Sequence, residues 1–199
     1  MRRSVLTLLV TGCVLAVAGC GGSGGAGNGG ASEGAAVAES KPVDAKLYAR
    51  SVCSAIGAWQ DALGQASVVF AHETQNEKDL AKVRVQFVHF FGGAIDETDR
   101  MLAKVEAAGV PNVTSGKKVS RSMLRELRSF RPILVHAQAK ARRLPVANEA
   151  RFTTQAQTLG AQFQIASAIL PTLFDALGEQ YKVPALAAAA RADAACRRL

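Results

Sequence analysis

The chain has 199 residues, of which 49% are hydrophobic and 20% charged, with a formal net charge of +8 and four cysteines. That is enough for one folded domain with a sizeable core. Strand signals are absent, so a glycine-rich phosphate loop following a strand is excluded, and no Gly-x-Ser-x-Gly nucleophile elbow occurs.

Residues 1–19 open with Arg2 and Arg3 and continue into an apolar stretch over residues 5–17, interrupted only by Thr7, Thr11, Gly12 and Cys13. A cationic start, an apolar run too short to span a bilayer and a small-residue exit form the pattern of an export signal. The run ends in Val17-Ala18-Gly19-Cys20. This segment resembles the signal peptide and lipobox of bacterial lipoproteins, and the remainder, with Tyr48, Cys53 and Trp59 early and Cys196-Arg197-Arg198-Leu199 at the end, is similar to small Ala- and Arg-rich lipoproteins of actinobacteria with no assigned role. The resemblance implies cleavage before Cys20, a diacylglyceryl anchor on its sulfur, and residence on the extracytoplasmic face of the cell membrane. Arg2-Arg3-Ser4-Val5-Leu6 also resembles the core of a twin-arginine signal, which leaves the export route open.

Residues 20–43 read as the lipidated cysteine and a flexible linker. Eight of the fourteen residues from 21 to 34 are glycine, too little apolar surface for a core. A Gly-rich coil over residues 21–42 has an end-to-end distance of roughly 26 Å. With Cys13 discarded and Cys20 lipidated, Cys53 and Cys196 remain, and outside the cytoplasm they are expected to form a disulfide. Two buried free thiols and a zinc site were the alternatives, the latter lacking a histidine near Cys196 in sequence. A loop of that length would stabilise the fold by about 5 kcal/mol at most.

Residues 44–199 divide into stretches of helical period. Val52, Ile56, Trp59, Leu63, Ala66 and Phe70 lie on one seam of the first. The second is expected over residues 77–108, capped by Asn76 and Asp79, with Leu80, Val83, Phe87, Phe90 or Phe91, Ala94, Thr98, Met101 and Val105 inward and Gly109 and Pro111 as terminators. The third, over residues 115–143, places Val119, Met123, Leu127, Phe130, Leu134, Ala137, Ala141 and Leu144 on its seam. The fourth follows the N-cap Asn148 through Phe152, Ala156, Leu159, Phe163, Ala166, Leu170, Leu173 and Leu177, breaking near Pro184, and a short Ala-rich helix carries Cys196. The pattern predicts an all-α, up-down-up-down four-helix bundle with a short C-terminal helix, kinked at Pro132 and Pro171. Gly57 and Gly64 are expected to let a second helix approach closely.

His72, His89 and His136 have no acidic residue or second histidine three or four positions away, so the Glu-x-x-His pairing of di-metal bundles is missing. Asp96, Glu97 and Asp99 are spread around their helix and read as a solvated face with Arg100 and Lys104 as partners. Trp59 reads as core. No catalytic residues, metal ligands or cofactor are assigned, and the protein is not expected to be an enzyme.

Charge is the distinctive feature. Without Arg2 and Arg3 the chain has 22 basic and 16 acidic residues, a balance of +6. Residues 114–143 carry Lys117, Lys118, Arg121, Arg125, Arg128, Arg131, Lys140, Arg142 and Arg143 against Glu126 alone, a local +8. At 100° per residue Lys118, Arg121, Arg125, Arg128 and Arg143 lie opposite the apolar seam and form a basic, anion-binding stripe. An exported protein meets anionic lipid and phosphate-bearing wall polymers first, so nucleic acid is not the expected partner. The sequence therefore points to a membrane-tethered, non-enzymatic helical binding module that contacts an anionic envelope component or a protein. The alternative was a small-ligand, metal or haem-binding bundle with a pocket near Pro132, Pro171 and His89.

Overall fold

A computed structural model describes residues 42–167 and 173–199, with side chains over 42–161 and 173–199. Cys20, the leader, the linker and Pro171 lie outside the described residues. Among the described residues, two strands of two residues, β1 (Pro42–Val43) and β2 (Val110–Pro111), accompany seven helices: α1 (Ala45–Thr74), α2 (Leu80–Ala107), α3 (Gly116–Arg128), α4 (Phe130–Ala141), α5 (Glu149–Ser167), α6 (Leu173–Gln180) and α7 (Pro184–Ala192). A 3₁₀ turn, Cys196–Arg198, closes the chain.

Asp44 starts α1 because its carboxylate accepts the Lys46 N–H at 2.9 Å and the Leu47 N–H at 3.4 Å, which would otherwise lack partners. At 30 residues α1 is about 45 Å long. Its expected seam is the core-facing one: Val52, Ile56, Trp59 and Leu63 are buried, with Tyr48, Ala49, Cys53 and Ala55 beside them. The seam of α2 is inward too, but the helix begins later than the sequence suggested. Asp79, not Asn76, is the cap, accepting the Ala81 N–H at 2.8 Å while its own N–H donates to Glu77. The helix ends as expected at Gly109, whose φ of 78° a residue with a side chain would adopt only under strain.

Antiparallel packing of α1 on α2 follows from pairs that run in opposite directions. Phe70 meets Phe87 with ring centroids 4.6 Å apart, and Trp59 Nε1 donates to Thr98 Oγ1 at 3.0 Å. The Thr98 hydroxyl donates a hydrogen bond to the Ala94 carbonyl at 2.8 Å, so this buried polar pair is satisfied. Helix α2 also packs on α4, and α4 on α5. One end of the domain is held by phenylalanines: Phe87 contacts Phe70, Phe91 and Phe152, joining α1, α2 and α5.

The third stretch is two helices, not one. Pro132 has no N–H to offer the Arg128 carbonyl and its ring crowds that carbonyl, so the helix breaks at Ser129 and Pro132 occupies the first turn of α4, where proline is tolerated. The seam survives the break: Val119, Met123, Leu127, Phe130, Leu134, Ala137, Ala141 and Leu144 are all buried. Asn148 caps α5 by accepting the Arg151 N–H at 2.9 Å. The chain leaves α6 through Lys182 at φ 52°, the Lys182 N–H bonding back to Glu179 and the Val183 N–H to Gly178, and Pro184 opens α7.

Cys196 lies in the 3₁₀ turn beyond α7, which stops at Asp193. Its disulfide to Cys53 is formed, with Cα atoms 4.9 Å apart across a sequence separation of 143. Arg50 Nε donates to Asp193 Oδ2 at 2.9 Å one turn before the bridge, so the C-terminal segment is fastened along the first half of α1.

The glycine expectations fail in part. A side chain at Gly64 would meet nothing within 4 Å, and at Gly57 only Leu199 at an ordinary 3.8 Å, so neither makes a close helix approach. Besides Gly109, two described positions leave no room for a side chain: Gly116, where a Cβ would lie 2.0 Å from the Pro111 carbonyl oxygen, and Gly178, where it would lie 2.9 Å from Ala187 Cβ.

Candidate interaction surface

Helix α3 turns Val119, Met123 and Leu127 into the core, which leaves Lys117, Lys118, Arg121, Arg125 and Arg128 exposed. They do not remain equivalent. Arg128 is paired with Glu106 of α2, and Arg125 Nη2 lies 3.3 Å from Glu126 and donates to Ser122 Oγ at 3.1 Å. On α4, Arg131 grips Asp99 of α2 through Nε at 2.8 Å and Nη2 at 3.2 Å, a two-pronged contact that pushes the arginine's pKa up further. Arg143 is exposed in the turn after α4, on the far side of the Ser129 break.

What remains is a compact cationic group. Among the described residues Lys117, Lys118 and Arg121 form no ion pair, and the Arg121 guanidinium donates only to the Lys117 carbonyl at 3.2 Å. Lys117, which the projection from the helix centre had left off the stripe, belongs to it because the first turn of α3 is exposed on both sides of the seam. No acidic residue stands in that turn. Cations beside a helix N-terminus oppose the dipole, at a cost of about 0.3–1 kcal/mol each.

The group sits where the chain enters the domain. Pro42 and Val43 pair in parallel with Val110 and Pro111, and the Asn112 N–H donates to the Val43 carbonyl at 2.6 Å. Gly116 then lays the first turn of α3 directly against Pro111. Ser120 Oγ donates to the Gly109 carbonyl at 2.9 Å and ties the second turn to the end of α2.

The remaining candidates disperse. His72, His89 and His136 are exposed, and Met123 is buried, so none of these histidines faces that sulfur across the core. His89 lines an outer groove of about 340 Å³ between α1 and α2 with Ala66, Val69, Phe70, Glu73, Gln86, Phe90 and Gly93. Pro132 is exposed on α4 and is not part of that groove. Glu97 pairs with Arg100 as expected, whereas Asp99 is taken by Arg131, Asp96 is exposed, and Lys104 pairs with none of the three among the described residues. Trp59 is core. Among the described residues no group of three His, Cys, Asp or Glu side chains is placed to hold a metal, and no helix is long and apolar enough to cross a membrane.

Two buried groups are electrostatically unusual. The Tyr48 hydroxyl has no hydrogen-bond partner, and burial pushes its pKa up to about 12, with the neighbouring Ser120 hydroxyl opposing weakly but outside bonding geometry. Asp193 is held below the usual carboxylate range, first by the Arg50 guanidinium and then by the Ala195 N–H at 2.8 Å. No protein family, curated protein or solved structure matches the chain.

Proposed function

We propose that the protein is an extracytoplasmic lipoprotein, tethered to the cell membrane through Cys20, whose helical domain is a non-enzymatic module that contacts an anionic component of the envelope. The observation that carries this reading is the exposed cationic group of α3, charge that no acidic partner among the described residues neutralises. Val17-Ala18-Gly19-Cys20 supports the tether, and the Cys53–Cys196 bridge supports an oxidising compartment. The antiparallel pairing of α1 with α2 and the packing of α2 on α4 and α4 on α5 support an up-down-up-down bundle in which α3 with α4 acts as one broken helix.

Two measurements test the proposal. Mass spectrometry of the membrane fraction should find Cys20 as an acylated first residue; an unmodified thiol there, or an uncut chain in the cytosol, refutes the tether. Replacing Lys118, Arg121, Arg125 and Arg128 by glutamine should abolish salt-sensitive retention on anionic liposomes or wall polymer, and equal retention of variant and wild type refutes the binding role.

A further inference from the structure

From the position of the cationic group beside the entry point of the chain, we infer that Lys117, Lys118 and Arg121 are a second membrane signal: they dock this end of the domain on anionic phospholipid headgroups beside its own anchor. The inference rests on the proposed Cys20 tether and adds an orientation and a ligand to it.

Three observations place the docking end. Pro42 is aligned with Val110 in the β1–β2 pair, Val43 accepts the Asn112 N–H, and Gly116 packs on the second strand of that pair, so chain arriving from Cys20 enters the domain beside the first turn of α3. Among the described residues, Asp44 caps α1, Glu106 holds Arg128 and Asp193 holds Arg50, so these acids are engaged elsewhere. The phenylalanine end lies about 45 Å away along α1, several times the screening length of about 8 Å at physiological salt. Facing the bilayer with that end would therefore leave the three cations without an electrostatic gain.

The tether also selects lipid over wall polymer as the occupant. Only 21 residues lie between Cys20 and Pro42, and a tether that short keeps the headgroups at an effective concentration in the millimolar range. One cation near an anionic leaflet strengthens partition by about fivefold. Three together give on the order of 100-fold, enough to hold a tethered domain down.

The test uses the chain from Cys20 to Leu199, first coupled through its Cys20 thiol to maleimide lipid. Vesicles of phosphatidylcholine alone are compared with vesicles of equal parts phosphatidylcholine and phosphatidylglycerol. A membrane-impermeant amine reagent should label Lys117 and Lys118 severalfold more slowly than Lys78 and Lys82 on the anionic vesicles only. In untethered co-sedimentation, the triple variant K117Q/K118Q/R121Q should lose on the order of 100-fold in partition, while the charge-matched K78Q/K82Q/R151Q at the phenylalanine end keeps wild-type binding. Equal labelling at the two ends, equal protection on neutral vesicles, or equal behaviour of the two triple variants would overturn the inference. Because coupling replaces acylation, these outcomes are independent of whether Cys20 is lipidated in the cell, which mass spectrometry decides separately.

Discussion

Replacing both Cys53 and Cys196 by alanine tests whether the domain depends on the covalent closure of its ends. The bridge spans a sequence separation of 143, and the chain-entropy relation converts a loop of that size into about 5 kcal/mol of lost unfolded-state freedom at 25 °C. For a domain of this size, each 1 kcal/mol corresponds to about 2–4 °C in Tm, so the double variant should melt about 10–20 °C lower. The Arg50–Asp193 pair and the contact of Leu199 with α1 remain in the variant and hold the C-terminal segment loosely. Urea unfolding followed by circular dichroism supplies both the midpoint and its slope. The slope should be steeper in the variant, because a chain without the crosslink exposes more surface when it unfolds. A loss below about 1 kcal/mol with an unchanged slope would show that the bridge does not restrict the unfolded chain in the way argued.

Glycine-to-alanine changes should have opposite signs at two positions. Gly116→Ala places a Cβ on the Pro111 carbonyl and should cost about 3 kcal/mol or more in chemical denaturation; Gly64→Ala, on an exposed face with open space, should gain up to about 1 kcal/mol. Tyr48→Phe removes a buried hydroxyl that has no partner, so its unfolding midpoint should equal or exceed wild type, and a loss above about 1 kcal/mol would reveal a hydrogen bond that the geometry lacks. Asp193 has a depressed folded pKa, so its contribution is present above about pH 4 and is lost as pH falls through the lower folded value. The stability gap between wild type and Asp193→Asn should therefore narrow below about pH 4, and a gap independent of pH would remove Arg50 as the cause.

The helical seams were legible because a period of 3.6 survives every local irregularity, even the break at Ser129, where Leu127, Phe130 and Leu134 keep their spacing and their burial. The disulfide was legible by counting thiols. Ion pairs that join different helices were not. Asp99 with Arg131 and Glu106 with Arg128 are 32 and 22 residues apart, and no spacing rule within one helix reports them. The same limit hid the role of Gly116, which is set by a strand that precedes it, and misassigned Gly64, where the missing side chain faces no neighbouring helix. The basic stripe was read from helical phase alone. Its division into neutralised arginines and an unpaired lysine-rich turn depends on what α2 presents to it.

The Cys53–Cys196 linkage also governs what happens when the protein is cut. A protease that severs one peptide bond anywhere between those cysteines produces two fragments that still travel together, and neither is shed until a reductant arrives. Cleavage within the helical region would then be visible on a reducing gel and silent on a non-reducing one.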